Sequence, residues 1–282
     1  MKPLIDIGLN LANKRFRNSE TQVLRDACDA GVVACVLTGT NVLVSREVLR
    51  LCNVFEENFS NMLYCTAGVH PHHASEWNTE SENALLELLA TPRVVAVGET
   101  GLDFNRNFSS PAIQEKVFEK QLALAARTQK PLFLHERDAF QRQHEMLRTC
   151  RDQIANGVVH CFTGNKQALF AYLDLDLHIG ITGWICDERR GRELQEIVKH
   201  IPLNRLMLES DAPYLLPRTL RPRPANGRNE PAFLPWVLDT VAACRGEDAS
   251  VVAKATTATA QAFFCLPEQG KPSRGDSHVH EG

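Results

Sequence analysis

Four side chains that can bind a metal or move a proton stand at or just beyond the ends of short apolar runs. Glu99 follows the apolar run of VVAVGETGLDF. His135 stands at the end of the apolar run in PLFLHERD, and His160 stands at the end of the one in GVVHCFTG. Asp211 comes shortly after LML in LMLESDAPYL. Imidazole nitrogen and carboxylate oxygen are usual protein ligands of divalent metals. If the fold brings these side chains together, they predict a metal site, and the ligand types leave zinc and manganese open beside magnesium.

The apolar runs alternate with longer amphipathic segments, which is typical of strands and helices in turn. Eight such repeats in about 250 residues predict a (β/α)8 barrel, an α/β fold in which the strand ends converge on one rim. A doubly wound open sheet alternates in the same way, but no G-x-G-x-x-G follows the first run and no Walker A motif occurs. The predicted strands are Leu4–Leu9, Val32–Leu37, Met62–Ala67, Val94–Val97, Pro131–His135, Gly157–His160, His178–Thr182 and Leu206–Leu208.

Composition favours one large intracellular domain. The chain has 282 residues and 44% hydrophobic content, so we predict a single domain over residues 1–266 and a flexible, aperiodic tail over residues 267–282. The start, MKPLIDIGLN, is too polar for a signal peptide or a membrane span. The 9 cysteines are scattered and lack a C-x-x-C pair, which favours free thiols in a reducing compartment. We therefore expect a cytoplasmic protein without membrane contact, and a monomer.

Two groups of basic residues and a histidine group could bind an anionic substrate. A net charge of −3 gives no general attraction to a polyanion, so binding would need a local patch. Exposed histidines and solvated basic segments are common without any ligand, but cations around a metal suit a phosphate. The segment 212–229 is also longer than an ordinary connection and contains no acid. The candidates are His70, His72 and His73, then Arg189, Arg190 and Arg192, and finally Arg218, Arg221, Arg223 and Arg228.

The first predicted strand, LIDIGLN, has an unusual polar row. Alternation along a strand places its apolar residues on one face and Asp6, Gly8 and Asn10 on the other. An acid, a residue without a side chain and an amide do not suit a packed interior. We interpret this row as the contribution of the first strand to the mouth of the site.

The motifs TAGVHPH, GETGLDFNRNFS, HCFTGN, GITGWICDERRG, ESDAPYLLPR and RNEP together resemble the TatD family of metal-dependent deoxyribonucleases, which have amidohydrolase-like barrels. The resemblance extends from about Ile5 to Phe264. It implies a magnesium-dependent hydrolase of phosphodiester bonds, a 3′–5′ exonuclease on single-stranded DNA or RNA, with a role in DNA repair. It assigns Glu99, His135 and His160 as metal ligands, Asp211 as a ligand or a catalytic acid or base, and His70, His72 and Arg228 as neighbours of the substrate phosphate.

The first strand departs from the pattern of many members of that family. They have D-x-H-x-H there, with two histidines for a second metal, whereas this chain reads Asp6-Ile7-Gly8-Leu9-Asn10. Glycine offers no ligand and an amide oxygen is a weak, neutral one. We therefore expect one tight metal site, with Asp6 as at most a weak or indirect ligand and Asn10 as a polar contact to water or substrate.

The expected chemistry is phosphodiester hydrolysis. A divalent ion would polarise a phosphoryl oxygen and acidify a water, while Asp211 accepts the proton or shares the metal. Two alternatives remain open at this point. One is hydrolysis of a C–N or ester bond, as in other barrels of this architecture. The other is a non-catalytic nucleic-acid-binding protein that has lost turnover together with the histidines of its first strand.

Overall fold

The computed structural model describes residues 2–267, so the predicted tail, apart from Pro267, lies outside the described residues. In that part of the chain no helix is both long and apolar enough to cross a bilayer. The strands are β1 Leu4–Leu9, β2 Val32–Leu37, β3 Leu63–Ala67, β4 Val94–Asp103, β5 Leu132–Arg137, β6 Gly157–Val159, β7 His178–Ile181 and β8 Leu206–Leu208. The α-helices are α1 Glu20–Asp29, α2 Val42–Val54, α3 Thr79–Leu89, α4 Pro111–Thr128, α5 Phe140–Cys150, α6 Lys166–Asp174, α7 Arg192–Ile197, α8 Leu234–Arg245 and α9 Ala249–Phe264.

The eight strands form one parallel sheet in the order of the chain, which confirms the predicted (β/α)8 barrel. The doubly wound alternative is wrong, because its strand order reverses within the sheet. Between β8 and β1 the sheet closes just beyond β8, where Leu9 bridges Ala212 and the Asp211 amide donates to the Gly8 carbonyl at 2.8 Å. This contact brings the loop after β8 against the end of β1.

Apolar side chains fill the barrel and separate it from the helices. Alternate strand residues, such as Phe133 and Met207, form the inner core, while their neighbours pack outward against the helices. Phe263 near the end of α9 joins the inner core and lies 4.8 Å, between ring centroids, from His178, the first residue of β7. The last helix therefore closes the end of the barrel where the strands begin, and the opposite rim is left for the site.

Strand β4 is longer than predicted. It continues past Val97 to Asp103, so that Glu99 lies within the strand rather than after it. Gly98 and Gly101 have φ values of 154° and 138°, and the pairing with β5 shifts in register beside Gly98. Backbone of this kind suits glycine, and a side chain at Gly101 would collide with the carbonyl of β5 beside it. The two glycines thus let β4 follow β5 as far as the rim.

The polar row predicted on β1 is broken by a second irregularity. The pairing of β1 with β2 shifts between Asp6 and Leu9. Asp6 pairs with Cys35 of the outer core, and its carboxylate accepts bonds from the amide and hydroxyl of Ser210. Gly8 instead faces the inner core, where an added Cβ would lie 3.5 Å from the Phe133 ring. The expectation of one continuous row is therefore wrong, because a bulge moves successive residues to different faces.

Candidate metal centre

Glu99 is the central residue of the rim. Its Oε1 atom lies 2.7 Å from His160 Nε2, 3.0 Å from His135 Nδ1 and 3.5 Å from His70 Nε2. Glu99 lies in β4 and His135 in β5. His160 directly follows β6, and His70 directly precedes a short helical turn after β3. Three imidazoles and a carboxylate, from β4, β5 and the segments after β3 and β6, thus converge on one buried point at the rim of the barrel.

The donor set at this point fits a divalent cation. The ligand atoms of His70, Glu99 and His135 all lie within 4.8 Å of one another, and His160 contacts the same carboxylate oxygen. Imidazole nitrogens with a carboxylate suit zinc, manganese or magnesium, with magnesium the least favoured by two or more imidazoles. The donors alone do not select the metal.

His70 differs from the other two imidazoles in its hydrogen bonding. Its Nδ1 atom accepts the backbone amide of His72 at 3.0 Å, and burial holds the pKa of His70 well below its ordinary value. A neutral ring that accepts at Nδ1 carries its proton on Nε2, the nitrogen that faces Glu99. His70 is therefore arranged as a hydrogen-bond donor beside the cluster, and His135 and His160 are the better ligands.

The charges in the cluster stabilise one another. Burial by itself would raise the pKa of Glu99, but the His160 and His70 imidazoles hold it well below its usual range. Burial likewise lowers the pKa of His160, yet Glu99 and Glu209 raise it well above its usual value. An ionised Glu99 is thus held beside a protonated His160 in a buried site, so a dication that binds there must displace the proton that His160 carries toward Glu99.

Asp103, at the end of β4, holds two histidines of the rim. Its Oδ2 atom lies 2.8 Å from His72 Nε2 and 3.3 Å from His135 Nε2. Its Oδ1 atom accepts the amides of Asn105 and Arg106 at 3.0 and 2.8 Å. Burial would raise the pKa of Asp103, but the bonds with His135, Arg106 and His72 hold it well below its usual value. If His135 Nε2 donates a hydrogen bond to this carboxylate, Nδ1 is the nitrogen that faces Glu99 and that could bind a metal.

Asp211 is half-buried beside the cluster and is held by Asn10, the residue directly after β1. It has a left-handed φ of 51°, a conformation that aspartate tolerates better than most residues. The Asn10 side-chain amide donates to Asp211 Oδ1 at 3.0 Å. Burial raises the pKa of Asp211 to about 7. Asn10 therefore orients the predicted catalytic acid or base, while its predicted contact with substrate stays a prediction.

Two of the four arginines that the sequence places after β8, Arg218 and Arg228, are paired with acids. Arg228 Nε and Nη2 both donate to Glu230 Oε1, at 3.1 and 2.8 Å, and Nη1 donates to the carbonyl of Arg15 at 2.6 Å. Arg218 Nη2 pairs with Glu188 Oε1 at 2.9 Å. These partners lie outside the acid-free segment, so the sequence segment alone could not show them. The predicted contact of Arg228 with a substrate phosphate stays a prediction.

Sequence reasoning missed two acidic residues of this rim. Asp103 and Glu209 both lie inside motifs already quoted, GETGLDF and LMLESD. Each is a carboxylate that directly follows apolar strand residues, the same signal that identified Glu99. Their contacts with His135 and His160 depend on the barrel, which places the strands that carry these residues near one another, so the local sequence does not show them.

The chain has close relatives along nearly its whole length. The family model of TatD-related DNases matches residues 5–265. A protein of Pantoea vagans named 3′-5′ ssDNA/RNA exonuclease TatD is 49% identical over 263 residues, covering 93% of this chain and 100% of the relative. The protein of that name from Salmonella typhimurium is 47% identical, covering 93% and 98% of the two chains.

Solved structures agree with this relationship. A TatD homologue from Escherichia coli K12 superimposes with a TM-score of 0.84 at 27% identity, over 94% of this chain and 98% of that one. The rim that gathers Glu99 and its histidines thus lies on a barrel that TatD homologues share. This chain belongs to the family of TatD-related DNases.

Proposed function

We propose that this protein is a metal-dependent hydrolase that removes nucleotides from the 3′ end of single-stranded DNA or RNA. The observation that carries the proposal is the convergence of His135 and His160 on one oxygen of Glu99 at the rim. The exonuclease activity and its direction come from the names of the relatives that are 47% and 49% identical to this chain. Hydrolysis of C–N or ester bonds has no comparable support.

Glu99, His135 and His160 would hold the metal, and we propose Mg²⁺ as the ion that serves in the cell. When bound, it supplies a Lewis acid for the phosphoryl oxygen and favours ionisation of the attacking water. We propose one tight site, because the first strand and the residue after it bring no imidazole to the rim: they offer Gly8 and the amide of Asn10.

Asp211 is placed to move the proton of the reaction. In the metal-free protein, burial raises the pKa of Asp211 to about 7, so its carboxyl group can both accept and release a proton near neutral pH, as general acid–base catalysis requires. The Asn10 amide fixes its Oδ1 atom at 3.0 Å, so that Oδ2 is left for a water or for the metal. We propose the first role, with Asp211 accepting the proton of the attacking water.

His70 and His72 are placed to bind the phosphate of the substrate. His70 carries a proton on Nε2 that faces the cluster, and His72 is partly exposed, with 28% of its side chain accessible. Phe108 packs edge-on against the His72 ring, at 4.8 Å between centroids, and is 66% exposed. An exposed aromatic ring next to a phosphate-binding histidine would suit stacking of a nucleic-acid base without sequence preference.

We propose a monomer of one domain over residues 1–266 that acts in the cytoplasm and has a role in DNA repair. The free state of all nine cysteines supports a reducing compartment. The repair role follows from the family alone, since hydrolysis at a free 3′ end would trim damaged strands.

The proposal predicts metal-dependent shortening of single strands from one end. A 5′-labelled single-stranded oligonucleotide incubated with the protein and Mg²⁺ should give a ladder of products, each shorter by one nucleotide at the 3′ end. EDTA should stop the reaction and added Mg²⁺ should restore it, because removal of the metal takes away the Lewis acid that polarises the phosphoryl oxygen.

The control for this assay is His160→Ala, which removes one donor and should release no nucleotide at the same protein concentration. Circular dichroism shows whether the variant keeps the fold. Full activity in EDTA, or no release with Mg²⁺, Mn²⁺ or Zn²⁺, would contradict the proposal.

A further inference from the structure

Glu209 is a fully buried carboxylate to which the proposed reaction gives no role. It follows β8 directly, and its backbone amide donates to the carbonyl of Ile181 on β7 at 3.0 Å. Its Oε1 atom accepts the backbone amide of Cys161, and its Oε2 atom lies 3.3 Å from His160 Nδ1. A carboxylate buried in this way is costly unless it is paired. The presence of Glu209 next to His160 therefore needs an explanation.

The carboxylate sits between two glycines. A Cβ atom on Gly180 of β7 would lie 2.6 Å from Glu209 Oε1, and a Cβ atom on Gly8 of β1 would be closer still to Oε2. Carbon and oxygen that are not bonded do not approach so closely, and neither glycine has a φ that requires glycine. The absence of side chains at Gly8 and Gly180 is therefore what gives Glu209 its room.

The two nitrogens of His160 face different carboxylates. Nε2 lies 2.7 Å from Glu99 Oε1, inside the candidate metal centre, and Nδ1 faces Glu209 on the opposite edge of the ring. Phe133 stacks on the His160 ring, with 4.6 Å between the centroids and 28° between the planes. This contact restricts rotation of the imidazole about its side-chain bonds. A hydrogen bond donated from Nδ1 to Glu209 keeps a proton on Nδ1, so that Nε2, on the side of Glu99, is the nitrogen that would bind a metal.

We propose that Glu209 is the positioning residue of the metal centre, orienting His160 and fixing its tautomer, and that Gly8 of β1 serves to make room for it. Glu209 is not itself a ligand in this arrangement, because the ring of His160 separates it from Glu99. The inference rests on the proposed metal centre but not on nuclease activity. It also gives the unusual glycine of the first strand a function.

Metal affinity tests the inference without any nucleic acid. Titration of Mn²⁺ into the metal-free protein, followed by calorimetry, should show tight binding. Glu209→Gln keeps the shape of the side chain but removes its charge, and should weaken Mn²⁺ binding by roughly 10–100-fold, as is typical when the partner of a ligating histidine is lost. Gly8→Ala keeps the carboxylate but displaces it, and should weaken binding within the same range.

Gly157→Ala is the matched control. It adds the same methyl group to β6, where the three atoms nearest to the new carbon are side-chain carbons of Leu177, Leu134 and Leu132. It should bind Mn²⁺ as the wild type does. Thermal unfolding in EDTA shows whether each variant folds, and if Glu209→Gln does not, Gly8→Ala carries the test.

Affinity equal to that of the wild type in a folded Glu209→Gln or Gly8→Ala variant would overturn the inference and leave the metal centre standing. Absence of Mn²⁺ binding by the wild type would overturn both. Weaker binding in both variants, with an unchanged control, would support the inference.

Discussion

Glu99→Gln is expected to lower the rate of nucleotide release on the order of 10³-fold or more, which corresponds to several kcal/mol of lost charge stabilisation in the transition state. The physical reason is that Glu99 Oε1 is the common partner of His160 and His135, at 2.7 and 3.0 Å. An amide at this position has no charge and turns one of its ends into a donor. The remaining imidazoles would then face a neutral group that binds a dication only weakly.

The measurement is the initial rate on a labelled single strand at saturating Mg²⁺. Glu115→Gln makes the same chemical change at a carboxylate that pairs with Arg142 on the helical surface, at 2.8 Å, and should keep the wild-type rate. A rate for Glu99→Gln within about tenfold of the wild type, a loss of no more than 1.4 kcal/mol, would show that Glu99 does not hold the metal.

Asp211→Asn is expected to reduce kcat by roughly 10²–10⁴-fold, the usual contribution of a general acid or base. The substitution keeps the size of the side chain and still lets it accept the bond from Asn10, but an amide cannot take up a proton. Because burial raises the pKa of Asp211 to about 7, the wild-type carboxyl group can exchange protons at physiological pH.

Titration with Mn²⁺ separates the two roles that the sequence left open for Asp211. If it accepts a proton, the variant binds Mn²⁺ as the wild type does while kcat falls. A parallel loss of affinity would identify Asp211 as a ligand instead. Asp29→Asn, at the exposed end of α1, is the matched control and should change neither quantity.

Much of the barrel could be predicted from the sequence because each strand is a short apolar run and the rule for strand ends is general. That rule is sufficient to predict that Glu99, His135 and His160 lie close together. It was not sufficient for β4, where Gly98 and Gly101 let the strand run six residues beyond Val97. Apolar patterning cannot show where a backbone irregularity lets a strand continue.

The features that could not be predicted depend on contacts between distant parts of the chain. Glu209 reaches His160 only because β6 and β8 lie on either side of β7. Arg218 appeared free within its own segment, but it pairs with Glu188 of a different loop. Burial, charge pairing and the orientation of an imidazole are properties of the folded neighbourhood, whereas strand number and strand ends are properties of the local sequence.

The first strand shows both sides of this difference. Its sequence offers no histidine for a second metal, and the expectation of one tight metal site stays a prediction. The interpretation of Asp6, Gly8 and Asn10 as one polar row was wrong, because a bulge separates them. Asp6 accepts a hydrogen bond from the Ser210 hydroxyl, and the Asn10 amide donates one to Asp211. Gly8 leaves space for the Glu209 carboxylate beside His160.

The central claim is that one divalent ion binds where Glu99 meets its histidines. An anomalous-scattering map of crystals soaked in Mn²⁺ tests it directly. The account predicts one strong peak within bonding distance of Glu99, His135 and His160, with no second peak of equal height at the end of β1. A map without a peak at this rim, or with its only peak elsewhere on the protein, would contradict the account.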